Sequence, residues 1–230
     1  MSKWKIAPPE YFRRLDLDPK QFLKQLHLPD IEGLKNILPL RDMAEVHSLI
    51  PMRLEMLQYL VKRIKTLGNQ PPFENSAVKM IKLDPRQLKV GQRYVYRETY
   101  QGLLEGIPDI FNKFLVNNGG LSDLGPYFVF GTNGDGQYAM ACYLPPLVEK
   151  HGLDLVIMDG IHRNYIVRQT GATLNAILID AVSAPFPCAV EEWSETTIIP
   201  LKDKPERLED RYFELHKELF RDLKHLGIDG

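Results

Sequence analysis

The sequence predicts an α+β protein, a small mixed sheet with flanking helices, and three observations carry that expectation. Through the first seventy positions apolar residues recur at three- and four-residue spacing, the period of a helix. Further along lie three stretches that read as strands, Val78 to Leu83, the continuous apolar run Leu155 to Met158, and Leu174 to Val182. The last two bracket a stretch of helical character, so strand, helix, strand is the expected core unit. The chain then divides into a helical N-terminal region over 1–72, an α+β domain over 73–184 and a C-terminal extension over 185–230 that carries an amphipathic helix.

Each element has a local reason. Asp18 before Pro19 starts a helix, because the carboxylate caps free amides and proline at the first helical position gives up no hydrogen bond. Phe22, Leu23 and Leu26 share its face. Asp30 caps a second short helix bearing Ile31, Leu34, Ile37 and Leu38, which Pro39 ends. After Pro51 the residues Leu57, Leu60, Val61, Ile64 and Leu67 predict a longer helix stopped by Gly68. Asn69 to Ala77, with Pro71-Pro72, reads as a linker. Asp84-Pro85 ends the Val78–Leu83 strand, and Leu103, Leu104, Ile107, Ile110, Phe111, Phe114 and Leu115 trace a helix that Pro108 bends or restarts. Asn133-Gly134 and Asp135-Gly136 favour a hairpin between two aromatic-rich runs. A short helix is expected after Pro145-Pro146, a helix over Ile161 to Gln169 ended by Gly171, and a terminal helix carrying Leu208, Tyr212, Leu215, Leu219, Leu223 and Leu226.

Composition narrows the function classes. The 230 residues are 44% hydrophobic, enough for an ordinary core, and 29 lysines and arginines against 30 acidic residues give a net charge of -1. The broad basic excess of nucleic-acid-binding domains is missing, so a nucleic-acid partner is possible but not favoured. No stretch reaches the roughly 18 apolar residues of a membrane span, and the N-terminus has no apolar run, so a cytoplasmic protein without membrane association is expected. Cys142 and Cys188 lack metal-ligand spacing and read as buried thiols. Oligomeric state is not legible.

Chemistry concentrates at Asp159-Gly160-Ile161-His162-Arg163-Asn164, where a buried strand meets a helix. Gly160 permits a tight turn and close approach of a ligand, while the first helical amides point outward and favour an anion. Arg163 offers a forked donor to phosphate oxygens and His162 an imidazole that donates or exchanges a proton. Asp159 is placed to hold Mg2+ or to accept a substrate proton. The same residues also suit a plain structural turn in which Asp159 caps the helix and the His-Arg pair is solvated.

Leu155 to Tyr165, with Gly171 and the strand from Leu174 to Ile179, resembles the ParB/sulfiredoxin-like superfamily, whose members carry an apolar strand, a Gly-x-His-Arg or Gly-x-Arg-Arg turn, a helix and another strand. The resemblance implies that Gly160, Ile161, His162, Arg163 and Asn164 bind nucleotide phosphates. Ile161 stands where sulfiredoxins have their catalytic cysteine, which argues against sulfinic-acid repair. No helix-turn-helix follows Val182, which argues against a chromosome-partitioning role. The wording Asp-Gly-x-His-Arg is closest to the branch of free-serine kinases, which implies an ATP- or ADP-dependent phosphotransferase, CTP being the alternative nucleotide, with Mg2+ and a small hydroxyl substrate. That branch uses a glutamate as general base, for which Glu98 is the candidate, with Arg93 or Arg97 adding phosphate charge; an ion pair between Glu98 and one of those arginines is the structural alternative. The hairpin and Pro145-Pro146 between Phe130 and Leu155 depart from the family pattern, as a plain turn or as a wall of the site. The competing expectation is a non-catalytic, nucleotide-gated ParB-like module that binds DNA or protein.

Overall fold

A computed structural model describes residue 38, residues 40–112 and residues 124–223. Its α+β class agrees with the expectation: among the described residues three helices, α1 (Leu54–Val61), α2 (Arg97–Asn112) and α3 (Ile161–Thr170), lie among strands gathered in several sheets. The helices expected around Phe22 and Ile31 lie outside the described residues.

The central sheet has five strands, β3 (Ala77–Leu83), β4 (Lys89–Val90), β8 (Leu147–His151), β9 (Asp154–Asp159) and β10 (Leu174–Asp180), in the order β3-β10-β8-β9-β4. It is mixed: β10 runs antiparallel to β3 and parallel to β8, β8 antiparallel to β9, and β9 parallel to β4. Period-two alternation splits each strand between two cores. Ile177, Ile179 and Leu147 pack with α1, Phe73 and Phe128 on one face, whereas Ala176, Leu178 and Val148 pack with Ile157, Ile161 and Trp193 on the other. Burial on both faces is why Leu155 to Met158 and Ala176 to Ile179 read as unbroken apolar runs. A separate three-stranded sheet joins β1 (Met43–Pro51), β6 (Tyr127–Asn133) and β7 (Tyr138–Tyr143). The expected hairpin is its β6–β7 arm, whose turn is closed by Asn133 Oδ1 accepting the amides of Asp135 and Gln137 at 3.1 and 2.9 Å.

Several expectations fail for identifiable reasons. The segment after Pro146 is strand β8, not a helix; it turns at Gly152 (φ +62°) into β9, so β8 separates β9 from β10 and the strand, helix, strand unit has an inserted neighbour. Helix α1 stops at Val61 rather than Gly68, because the amides of Leu67 and Gly68 donate to Phe220 and Glu218 carbonyls, and β2 (Lys65–Thr66) pairs with β12 (Arg221–Asp222). Helix α2 begins at Arg97, six positions ahead of the apolar stripe, and continues across Pro108. The Asn69–Ala77 linker is pinned: Phe73 is wholly buried and Ser76 donates to the Ala181 carbonyl.

The terminal amphipathic helix does not form over 208–223. Short 3-10 turns at Leu208–Arg211 and Lys217–Leu219 and the two residues of β12 take its place. Long-range partners outcompete the i to i−4 ladder: Phe213 N–H donates to Gly91, His216 N–H to Pro187, and Glu214 takes φ +45°. Leucine spacing alone did not reveal this, since tertiary pairing overrides propensity.

This strap is locked by charge. Arg221, 1% exposed, donates from Nε and Nη2 to both oxygens of Glu149, 0% exposed, at 2.9 and 2.8 Å, and also to the carbonyls of Leu219 and Ala184. His151 Nε2 lies 2.7 Å from Glu149 Oε2. Removing one partner strands a buried charge, so Arg221→Met is expected to cost ~3–5 kcal/mol in urea unfolding, with Arg221→Met/Glu149→Met recovering much of it. A double variant as unstable as the sum of the two single variants would show the pair to be uncoupled.

Candidate functional site

The singled-out turn sits where β9 ends and α3 begins. Gly160 is the helix N-cap at φ +88°, ψ 28°, and a Cβ there would lie 2.9–3.0 Å from the Cβ and Cα of Pro146. Both the left-handed backbone and the lack of room require glycine. Lacking a side chain, Gly160 supplies no cap; its carbonyl instead accepts the Asn164 N–H at 3.0 Å and Asn164 Nδ2 at 3.1 Å. The Oδ1 of Asn164, a wholly buried residue, has no hydrogen-bond partner among the described residues. Ile161 packs into the second core at 3% exposure, so what it can offer a ligand is its amide.

Arg163 and Asp159 bind each other. The guanidinium donates to Asp159 Oδ2 at 3.1 Å, to the Leu144 carbonyl, and lies 5.5 Å from the Tyr143 ring centroid. Both side chains are 12% exposed. Burial raises the Asp159 carboxyl above its ordinary range, while Arg163 and the Gly160 N–H pull it back. The turn therefore contains an internal ion pair, in place of the solvated His-Arg face of the structural alternative.

His162 is placed differently. Its Nε2 accepts the Tyr96 N–H at 3.0 Å, and the two rings stack at 5.6 Å between centroids. A backbone amide only donates, so a neutral His162 carries its proton on Nδ1. Burial, then the Arg163 and Lys204 cations, lower its pKa from 6.5 to about 4. Lys204 itself is half-buried, with Nζ 5.3 Å from the Tyr96 ring centroid. Its segment is tied down beside it, because Leu201 N–H donates to Glu98 Oε2 at 2.6 Å.

That bond gives the placement of Glu98: exposed in the first turn of α2, its carboxylate held below its ordinary range chiefly by the Leu201 N–H. It is engaged with the strap backbone. Arg93 also faces the strap, donating from Nε to the Tyr212 carbonyl at 2.9 Å, while Arg97 is exposed. The structure thus brings together Asp159, Gly160, His162, Arg163 and Asn164, and links them through Tyr96 to the end of β5 (Tyr94–Tyr96), two residues from Glu98. Tyr96 and Lys204 were missed by sequence reasoning. Tyr96 lay inside the Arg93–Glu98 segment already singled out for Glu98, whereas nothing local marks Lys204.

Among the described residues no three His, Cys, Asp or Glu side chains converge on a cation-sized site, and no helix is long and apolar enough to cross a membrane. Cys142 and Cys188 are buried free thiols, each pushed up to about 12 by desolvation. Comparison of the chain with known protein families, with curated proteins and with solved structures finds no match.

Between pH 6.5 and 4 the unfolded chain takes up a proton at His162 that the native state refuses, so stability falls as pH drops through that window, by up to ~3 kcal/mol. His162→Gln should flatten this component in urea unfolding followed against pH; an unchanged slope would refute the assignment. Gly160→Ala should lower stability by ~1–3 kcal/mol, through positive φ and the Pro146 contact, read as a drop in melting temperature.

Proposed function

We propose that this chain binds nucleotide phosphates at the Gly160–Asn164 turn of a ParB/sulfiredoxin-like core, ATP or ADP foremost and CTP as the alternative, and transfers a phosphoryl group to a small hydroxyl substrate. The observation that supports the reading is the uncapped N-terminus of α3 beside His162, on which both Arg163 and Lys204 act as cations. Helix amides and cations at one place suit a phosphate.

In this reading the amides of Ile161, His162 and Arg163 receive phosphate oxygens. Arg163 divides its guanidinium between Asp159 and the ligand. His162, with Nε2 occupied by the Tyr96 amide, donates from Nδ1 and takes no proton from the substrate. Mg2+ fits these residues only minimally: Asp159 would hold it through the carboxylate oxygen not engaged by Arg163. Mg2+ would neutralise charge on the transferring group. Glu98 accepts the substrate proton, at a disadvantage, since its bond with Leu201 N–H stabilises the ionised form.

Titration with ATP, ADP, CTP and GTP, with and without Mg2+, tests the binding. At a hundredfold excess over Kd a true ligand stabilises the fold by ~2.7 kcal/mol, visible as a melting shift, and Arg163→Ala should weaken binding ~10-fold or more. If none of these nucleotides shifts the melting temperature, the reading is wrong. Labelled phosphate appearing on a hydroxyl compound supports transfer; binding without turnover would leave a nucleotide-gated module.

A further inference from the structure

The C-terminal strap reaches the candidate site without belonging to the turn that defines it. Its 3-10 turn Leu201–Asp203 is hydrogen-bonded to Glu98 at the start of α2, and the next residue, Lys204, lays its ammonium 5.3 Å from the centroid of the Tyr96 ring. Tyr96 is 5% exposed, and its ring stacks on His162. Lys204, Tyr96 and His162 are therefore linked in sequence, and Arg163 acts on the same imidazole as a second cation from α3.

The strap holds that position through contacts remote from the turn. Tyr212 accepts from Gln92 Nε2 at 3.0 Å, Arg211 donates to the carbonyls of Pro205 and Glu206 at 2.7 and 2.8 Å, and the buried Arg221–Glu149 pair anchors its end. Lys204 is thus positioned before any ligand arrives, which lowers the ordering cost of binding. In the first turn of α3, Asn164 Oδ1 is buried without a hydrogen-bond partner among the described residues, an acceptor that an ordered water would complete.

We infer that Lys204 is a phosphate-binding residue of this site and that, with Arg163, it selects a nucleoside di- or triphosphate over a monophosphate. The inference rests on the nucleotide reading above and adds to it a residue and a discrimination against monophosphates. Two cations supplied by different elements can share a chain of phosphates, whereas a single phosphate close to one of them gains less from the other. A lysine acts there as a compact point charge, suited to phosphate without fixed geometry.

Isothermal titration of the full chain with ATP, ADP and AMP, using wild type, Lys204→Met and Lys204→Arg, tests it. Wild type should bind ATP and ADP at least ~10-fold more tightly than AMP, and Lys204→Met should lose ~10-fold or more for ATP and ADP while AMP changes less than ~2-fold. Lys204→Arg, which keeps the cation over Tyr96, should retain most of the affinity, and the melting temperatures of the ligand-free variants report whether each is folded. ATP affinity unchanged in a folded Lys204→Met overturns the role of Lys204 while leaving the nucleotide reading intact. AMP bound as tightly as ATP by wild type overturns the assignment of ligand class. No binding of any of the three by wild type overturns the inference, and if CTP and GTP also fail to bind, the nucleotide reading falls with it.

Discussion

The carboxylate of Glu149 is the constraint around which the described chain is arranged. It belongs to β8, with β10 on one side and β9 on the other, and it is wholly removed from water. A bare charge there would cost several kcal/mol, so the fold is viable only if a cation arrives with good geometry. That cation is Arg221, 72 residues later, and it anchors the end of the segment that runs from Pro185 to Asp222. The strap must cross from the end of β10, past Gly91 and Gln92, to a strand pair with Lys65–Thr66. Replacing such a pair whole by apolar residues often costs little, whereas removing one partner is expensive, so the two charges have to be kept together.

The Asp159–Arg163 pair plays the same part on a smaller scale. It closes the turn on itself and, through the Leu144 carbonyl, ties the exit of the β6–β7 hairpin to the start of α3. Structural and functional interpretations of these five residues therefore draw on the same side chains. A phosphate would have to offer Arg163 a better partner than a buried carboxyl whose ionised form burial disfavours. Charge-assisted bonds to a multiply charged phosphate, on the order of 1.5–3 kcal/mol each, are strong enough to do so, the more because burial already disfavours the ionised form of Asp159.

Sequence legibility followed the range of the forces involved. β3, β9, α3 and β10 were readable because Val78 to Leu83, Leu155 to Met158 and Leu174 to Val182 are strand-length stretches rich in apolar residues and bounded by Asp84-Pro85 and Gly171, and the β6–β7 turn because Asn133 closes it locally. β8 was not readable, since Glu149 interrupts its apolar pattern and only Arg221 explains why a glutamate is buried there. The expected helix over 208–226 failed within its described part for a related reason: its leucines keep helical spacing, but Gly91 and Pro187 capture the backbone. At the site, Asp159 through Asn164 were found together because they are contiguous. Tyr96 and Lys204 arrive from other elements; Tyr96 lies close to Glu98 in sequence, but no local pattern announces Lys204.

His162 shows what that assembly does to a familiar motif letter. In isolation, a histidine next to an arginine suggests a proton-transfer group active near neutrality. Here, burial and the cations Arg163 and Lys204 keep the imidazole neutral down to about pH 4, and the Tyr96 amide consumes the lone pair on Nε2. A neutral ring with a fixed tautomer adds a directed N–H without adding a third positive charge to a crowded, poorly solvated turn. The field at the α3 N-terminus then comes from a guanidinium and an ammonium on separate elements, while His162 contributes shape and one donor. Any chemistry at this turn would accordingly rest on fixed dipoles and positioning rather than on proton exchange at His162, the division of labour phosphoryl transfer favours.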